Sequence, residues 1–143
     1  MKKYSVPKNF CSSVGHNSFD NYQSLRENAK QDSNSYWESV ANRIDWFDKW
    51  TTVNNTDYSK AHIEWFSNGK LNASYNCIDR HIENGLGEKT ALIWQSNDPT
   101  ISTNVTYNEL LEKVSLFANG LKRAGIQKGD RVCIYMQMIP EAI

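Results

Sequence analysis

His62 and Glu64 stand two residues apart in Ala61-His62-Ile63-Glu64-Trp65, an imidazole beside a carboxylate that could relay a proton. General acid–base work also needs a reacting group held within hydrogen-bond reach, and one isolated pair supplies none. A partly buried structural histidine is the plainer reading. His16 and His81 lie far from it along the chain, and no HExxH pair or close cysteine completes a metal site. Cys11, Cys77 and Cys133 are too widely spaced for a CxxC knuckle, and an odd number closes no disulfide framework. Unpaired thiols fit a reducing compartment, so the cytoplasm is the expected location. No cysteine has a local base, and no GxSxG elbow presents a serine nucleophile.

Two glycine sets imitate phosphate loops. Gly85-Leu86-Gly87 opens like GxGxxG, but Thr90 takes the third glycine position. Gly120 and Gly125 have P-loop spacing, but Ile126-Gln127 stand where Lys-Ser/Thr is required. Both sets fall at expected helix ends, where glycine serves as a cap. Asp79-Arg80 reads as an ion pair orienting a short helix. Trp37, Trp46, Trp50 and Trp65 could stack bases, but no basic stripe accompanies them, so core anchoring is their expected role. The residues themselves mark no catalytic, cofactor-binding or metal-binding side chain.

The elements that would position such groups come from pattern and composition. Among the 143 residues, 16 Lys and Arg balance 16 Asp and Glu, which argues against a nucleic-acid module and a polybasic membrane anchor. A hydrophobic fraction of 39% with 12% aromatics is enough for a core. No apolar run approaches the roughly 18 residues of a membrane span. Met1-Lys2-Lys3-Tyr4 lacks the apolar stretch of a secretory signal.

Residues 1–17 are polar and unpatterned, the expected form of a mobile tail. Residues 18–84 form a helical, aromatic-rich stretch. Phe19, Tyr22 and Leu25 suggest a weak helix. Ser35-Tyr36-Trp37-Glu38 has the S-x-x-E form of a capping box, followed by the stripe Trp37, Val40, Ala41, Ile44, Phe47 on a 3.6-residue period. Residues 48–75 read as irregular wrapping chain with a turn at Asn68-Gly69. A short helix over 75–83 places Cys77, Ile78, His81 and Ile82 on its buried side and ends at Gly85 and Gly87.

From residue 85 the pattern is regular. Strands are expected at 91–94 and 101–105, the second leading into a Thr106–Glu109 capping box. The helix it opens has Leu110, Val114, Phe117, Ala118 and Leu121 on its apolar face, with Gly125 past its end. Residues 132–136 read as a continuous apolar strand of the kind covered on both faces. Pro140 suits the first position of another helix. The order is β-β-α-β, and one helix cannot cover both faces of the last strand. The expected fold is therefore the truncated opening of an α/β domain.

Several segments resemble AMP-forming acetyl-CoA synthetases. They are Trp65-Phe66-Ser67-Asn68-Gly69-Lys70-Leu71-Asn72-Ala73-Ser74-Tyr75-Asn76-Cys77-Ile78-Asp79-Arg80-His81, Lys89-Thr90-Ala91-Leu92-Ile93-Trp94, Thr106-Tyr107-Asn108-Glu109-Leu110, and Gly129-Asp130-Arg131-Val132 with Tyr135-Met136-Gln137-Met138-Ile139-Pro140-Glu141-Ala142. Gln137 stands where that family usually has proline. The resemblance implies an adenylate-forming fold, with residues 18–84 as the N-terminal extension and 85–143 as the beginning of the AMP-binding domain. It further implies an acetate–CoA ligase using acetate, ATP, coenzyme A and Mg²⁺. That family's phosphate loop, acyl pocket, nucleotide and coenzyme A contacts and catalytic lysine come later in the chain and match no position here. A propionate–CoA ligase fragment and a stand-alone interaction module, its aromatic 46–66 stretch docking on a partner, are the alternatives. Produced alone, residues 1–143 are expected to bind an apolar-surface dye and to melt broadly. A sharp reversible melt without dye binding would contradict this reading.

Overall fold

The computed structural model describes residues 18–143 and divides into two compact units, one ending at Leu71 and the other running from Asn72 to Ile143. Helix α1 (Phe19–Gln31) starts where the Ser18 hydroxyl accepts the Asn21 N–H at 3.1 Å. Asp32 then works in two directions. Its own N–H bonds back to the Asn28 carbonyl of α1, and its carboxylate caps helix α2 (Ser33–Ala41) by accepting from the Ser35 N–H at 2.9 Å and the Ser35 hydroxyl at 2.7 Å. The expected cap at Ser35 is therefore corrected to Asp32. An ionised carboxylate outcompetes a hydroxyl for free N–H groups at a helix start.

The expected stripe to Phe47 is also cut short. Helix α2 stops at Ala41, whose carbonyl accepts the Trp46 indole N–H at 2.9 Å. A side chain has taken over an acceptor at the helix end, and the chain turns away there. Ile44 and Phe47 leave the helical face, and Phe47 is 60% exposed.

Residues 48–75 are more ordered than irregular chain. Strands β1 (Thr52–Asn54) and β2 (Trp65–Ser67) pair antiparallel, with Thr52 opposite Ser67 and Asn54 opposite Trp65. A bridge at Asp57 and His62 extends the pairing toward the tip, and one at Asp48 and Lys70 closes its base. The tip holds a 3₁₀ turn (Tyr58–Lys60) that ends at Ala61 with φ 51°. These strands are too short to show alternation, which is why the pattern hid them.

In the second unit the single helix expected over 75–83 is broken. Helix α3 (Ala73–Cys77) and the one-turn α4 (Asp79–His81) are separated at Ile78, with φ −127° and ψ −69°. Ile78 is buried, whereas Cys77, expected on the buried side, is exposed. A π-helical turn (Ile82–Leu86) follows and is interrupted at Gly85, whose φ of 79° suits glycine.

Strands β3 (Thr90–Gln95) and β4 (Ser102–Thr106) form the expected antiparallel hairpin, with a register shift between Thr90 and Leu92. Leu92 faces Val105 and Trp94 faces Thr103 across it. Helix α5 (Tyr107–Arg123) packs on both strands. Val105, at 2% exposure, lies where the three elements meet. The capping box is complete: the Glu109 N–H donates to the Thr106 hydroxyl at 3.2 Å, and the Glu109 carboxylate accepts the Thr106 N–H at 2.8 Å. At the other end, Gly125 (φ 88°) donates to the Lys122 carbonyl and Ile126 to the Leu121 carbonyl, the paired bonds of a Schellman stop.

The strand expected at 132–136 does not form. Among the described residues, β3 and β4 pair only with each other, and 132–136 pairs with neither. Its apolar side chains stay in water: Ile134 is 65% and Tyr135 99% exposed. The Trp94 indole holds the following residues by donating to the Met138 carbonyl at 2.8 Å. Pro140 opens a 3₁₀ turn (Pro140–Ala142), as expected at a first helical position.

Thr106→Ala should destabilise α5 by about 1 kcal/mol, measured as faster amide exchange in its first turn. The Glu109 carboxyl lies below its ordinary pKa of 4.5, chiefly because it accepts the Thr106 backbone N–H. A depressed carboxylate stabilises the fold in full above that ordinary value and loses this contribution as pH falls through the folded value. Exchange protection in the first turn should therefore drop on acidification below about pH 4.5 in the parent chain. In Glu109→Gln this component of the pH dependence should vanish.

Candidate functional site

His62 and Glu64 do meet. The antiparallel bridge between Asp57 and His62 fixes the backbone, and His62 Nε2 comes within 3.4 Å of Glu64 Oε2. The Asn55 amide donates to the same carboxylate oxygen at 2.7 Å. This bond is the main reason that Glu64 sits below the usual glutamate range. Such a carboxylate is a weak base, and both side chains are substantially exposed, so water competes for every proton. The geometry suits fastening of the hairpin tip. Thr56 serves the same end, accepting the Glu64 N–H and donating to the Glu64 carbonyl, each at 3.3 Å.

The tryptophans form a packed cluster. Trp46 and Trp50 meet edge to face with centroids 4.9 Å apart, and Phe66 closes the group at 5.4 Å from Trp46 and 5.1 Å from Trp50. Trp65 and Trp37 continue it at 6.1 Å. These edge-to-face contacts pack the rings on one another, and the Lys49 ammonium lies over the Trp50 ring at 5.9 Å from its centroid. The cluster also holds Phe66 at φ 52°, a left-handed conformation unusual for so bulky a residue. Gly69 completes the fit: a Cβ there would stand 2.6 Å from the Trp46 ring and 2.9 Å from the Phe66 carbonyl.

In the second unit the sequence reading overlooked Asn76, a buried polar side chain at 8% exposure. Its amide donates to the Asn72 carbonyl at 3.0 Å, and its oxygen accepts from Arg80 at 3.3 Å. The four-residue spacing of Asn76 and Arg80 was the available signal, although the break at Ile78 places them on two successive helices. The Tyr75 hydroxyl donates to Glu83 at 2.6 Å, and His81 packs on the Tyr107 ring at 5.1 Å. The Tyr75 and Asn76 bonds hold 72–83 together, and the His81–Tyr107 contact ties it to the start of α5.

The two glycine sets lie at the joint before β3 and along α5 to its end. Gly87 is buried, and a Cβ on it would meet the Asn108 side chain at 2.7 Å. The Asn108 N–H bonds the Gly87 carbonyl at 3.0 Å, so this backbone is spent on docking α5. Gly120 lies inside α5, and Gly125 ends it. Among the described residues, no three His, Cys, Asp or Glu side chains come together as a metal site. No described helix is long and apolar enough to cross a membrane. The tail over 1–17, with Cys11 and His16, lies outside the described residues.

The second unit holds an open apolar groove of about 620 Å³ whose lining includes Leu92, Val105, Phe117, Ile134 and Met136 together with Lys113.

Residues 22–77 match the family model for the acetyl-coenzyme A synthetase N-terminus, and residues 79–143 match that for AMP-binding enzymes. The acetyl-coenzyme A synthetase of Magnetococcus marinus is 46% identical over 143 residues, covering 99% of this chain and 22% of the relative. That of Halorhodospira halophila is 42% identical over 142 residues, with the same coverage. That of Sinorhizobium fredii is 48% identical over 122 residues, covering 85% of this chain and 19% of the relative. The chain belongs to the acetyl-coenzyme A synthetase family. It spans about a fifth of the length of the curated relatives it matches. The two family matches meet at Ile78, the residue that breaks α3 from α4.

Gly69→Ala should cost about 1–3 kcal/mol by overpacking against Trp46 and backbone. The near-ultraviolet circular dichroism of the tryptophan cluster should collapse, while the far-ultraviolet signal of α5 persists. An unchanged near-ultraviolet spectrum would show that the rings are not packed as described.

Proposed function

We propose that this chain is the N-terminal part of an acetate–CoA ligase that works in the cytoplasm. The observation that carries the reading is 46% identity over 143 residues to a protein named acetyl-coenzyme A synthetase. In the proposed reaction an acetate oxygen attacks the α-phosphorus of ATP, and pyrophosphate leaves with the electron pair of the broken P–O bond. The coenzyme A thiolate then attacks the carbonyl carbon of acetyl-adenylate, and AMP leaves. Mg²⁺ would neutralise charge on the leaving phosphates.

None of these 143 residues is proposed to touch the reacting atoms. Gly69 and Gly87 are committed to packing and Gly125 to helix termination, and polar groups at 55–64 and 75–83 bond to one another. They do not fit a nucleotide, a metal or coenzyme A, so no step is routed through them. Their proposed role is scaffolding: residues 18–84 form the family's N-terminal extension, and 85–143 begin its AMP-binding domain.

The test is acetate-dependent exchange of labelled pyrophosphate into ATP. The complete gene product should show exchange with acetate, and residues 1–143 alone should show none. Exchange by the 143-residue chain would place catalytic groups within it. Absence of exchange from the complete product with any short carboxylate would remove the ligase reading.

A further inference from the structure

We draw no further inference here: the strongest candidate, the open apolar groove between helix α5, the β3–β4 hairpin and the segment carrying Ile134 and Met136, is an unpartnered apolar face, and nothing in the structure shows what covers it.

Discussion

Apolar side chains in this protein find cover where a hairpin closes over them, and each unit is organised around that event. In the first, β1 and β2 bring Phe66 against Trp46 and Trp50, and the same cluster draws the Trp46 indole onto the last carbonyl of α2. One packing contact thus ends a helix, fixes a left-handed phenylalanine and requires a residue without Cβ at Gly69. In the second, β3 and β4 bury Val105 beneath α5. Where the chain pairs with no strand, as at 132–136, the same kind of side chain remains in water. A continuous apolar run has strand propensity, but a strand also needs neighbouring N–H and C=O groups to pair with.

Elements whose signals are local were legible in the sequence. The Thr106–Glu109 box, the stripe of α5 and the glycine at 125 all act within one or two helical turns, and all appear as the pattern implies. Misreadings arose where a distant or competing group decides. Asp32 displaces Ser35 as the cap of α2 because a charge is the stronger acceptor. Trp46 stops α2 from outside the helix. The β1–β2 hairpin escaped notice because three-residue strands carry no period, and its pairs join residues 11 to 15 positions apart, Asn54 with Trp65 and Thr52 with Ser67.

Several of the residues that first invite a chemical reading have hydrogen-bond or packing partners within the fold. Glu64 is hydrogen-bonded by Asn55 and reaches His62, Gly87 is docked on Asn108, and the tryptophans occupy one another. Family membership was legible for a different reason. Packing constraints such as the Trp46–Gly69 contact are written into short runs of residues, and those runs resemble the family. The same runs are scaffold in the fold and signature in the sequence.

The clasp at Asp48 and Lys70 carries a consequence for how this unit can vary. A two-way backbone bridge and a 2.7 Å ion pair shut the ring of chain between them, which carries Trp50, Trp65 and Phe66 of the aromatic cluster. The entropy of shutting a ring rises only slowly with its circumference, by about 0.6 kcal/mol for each doubling. Extra residues at the far end, near the 3₁₀ turn at Tyr58–Lys60, would therefore add little burden. Length variation among kindred proteins is tolerable at that apex and not at the clasp.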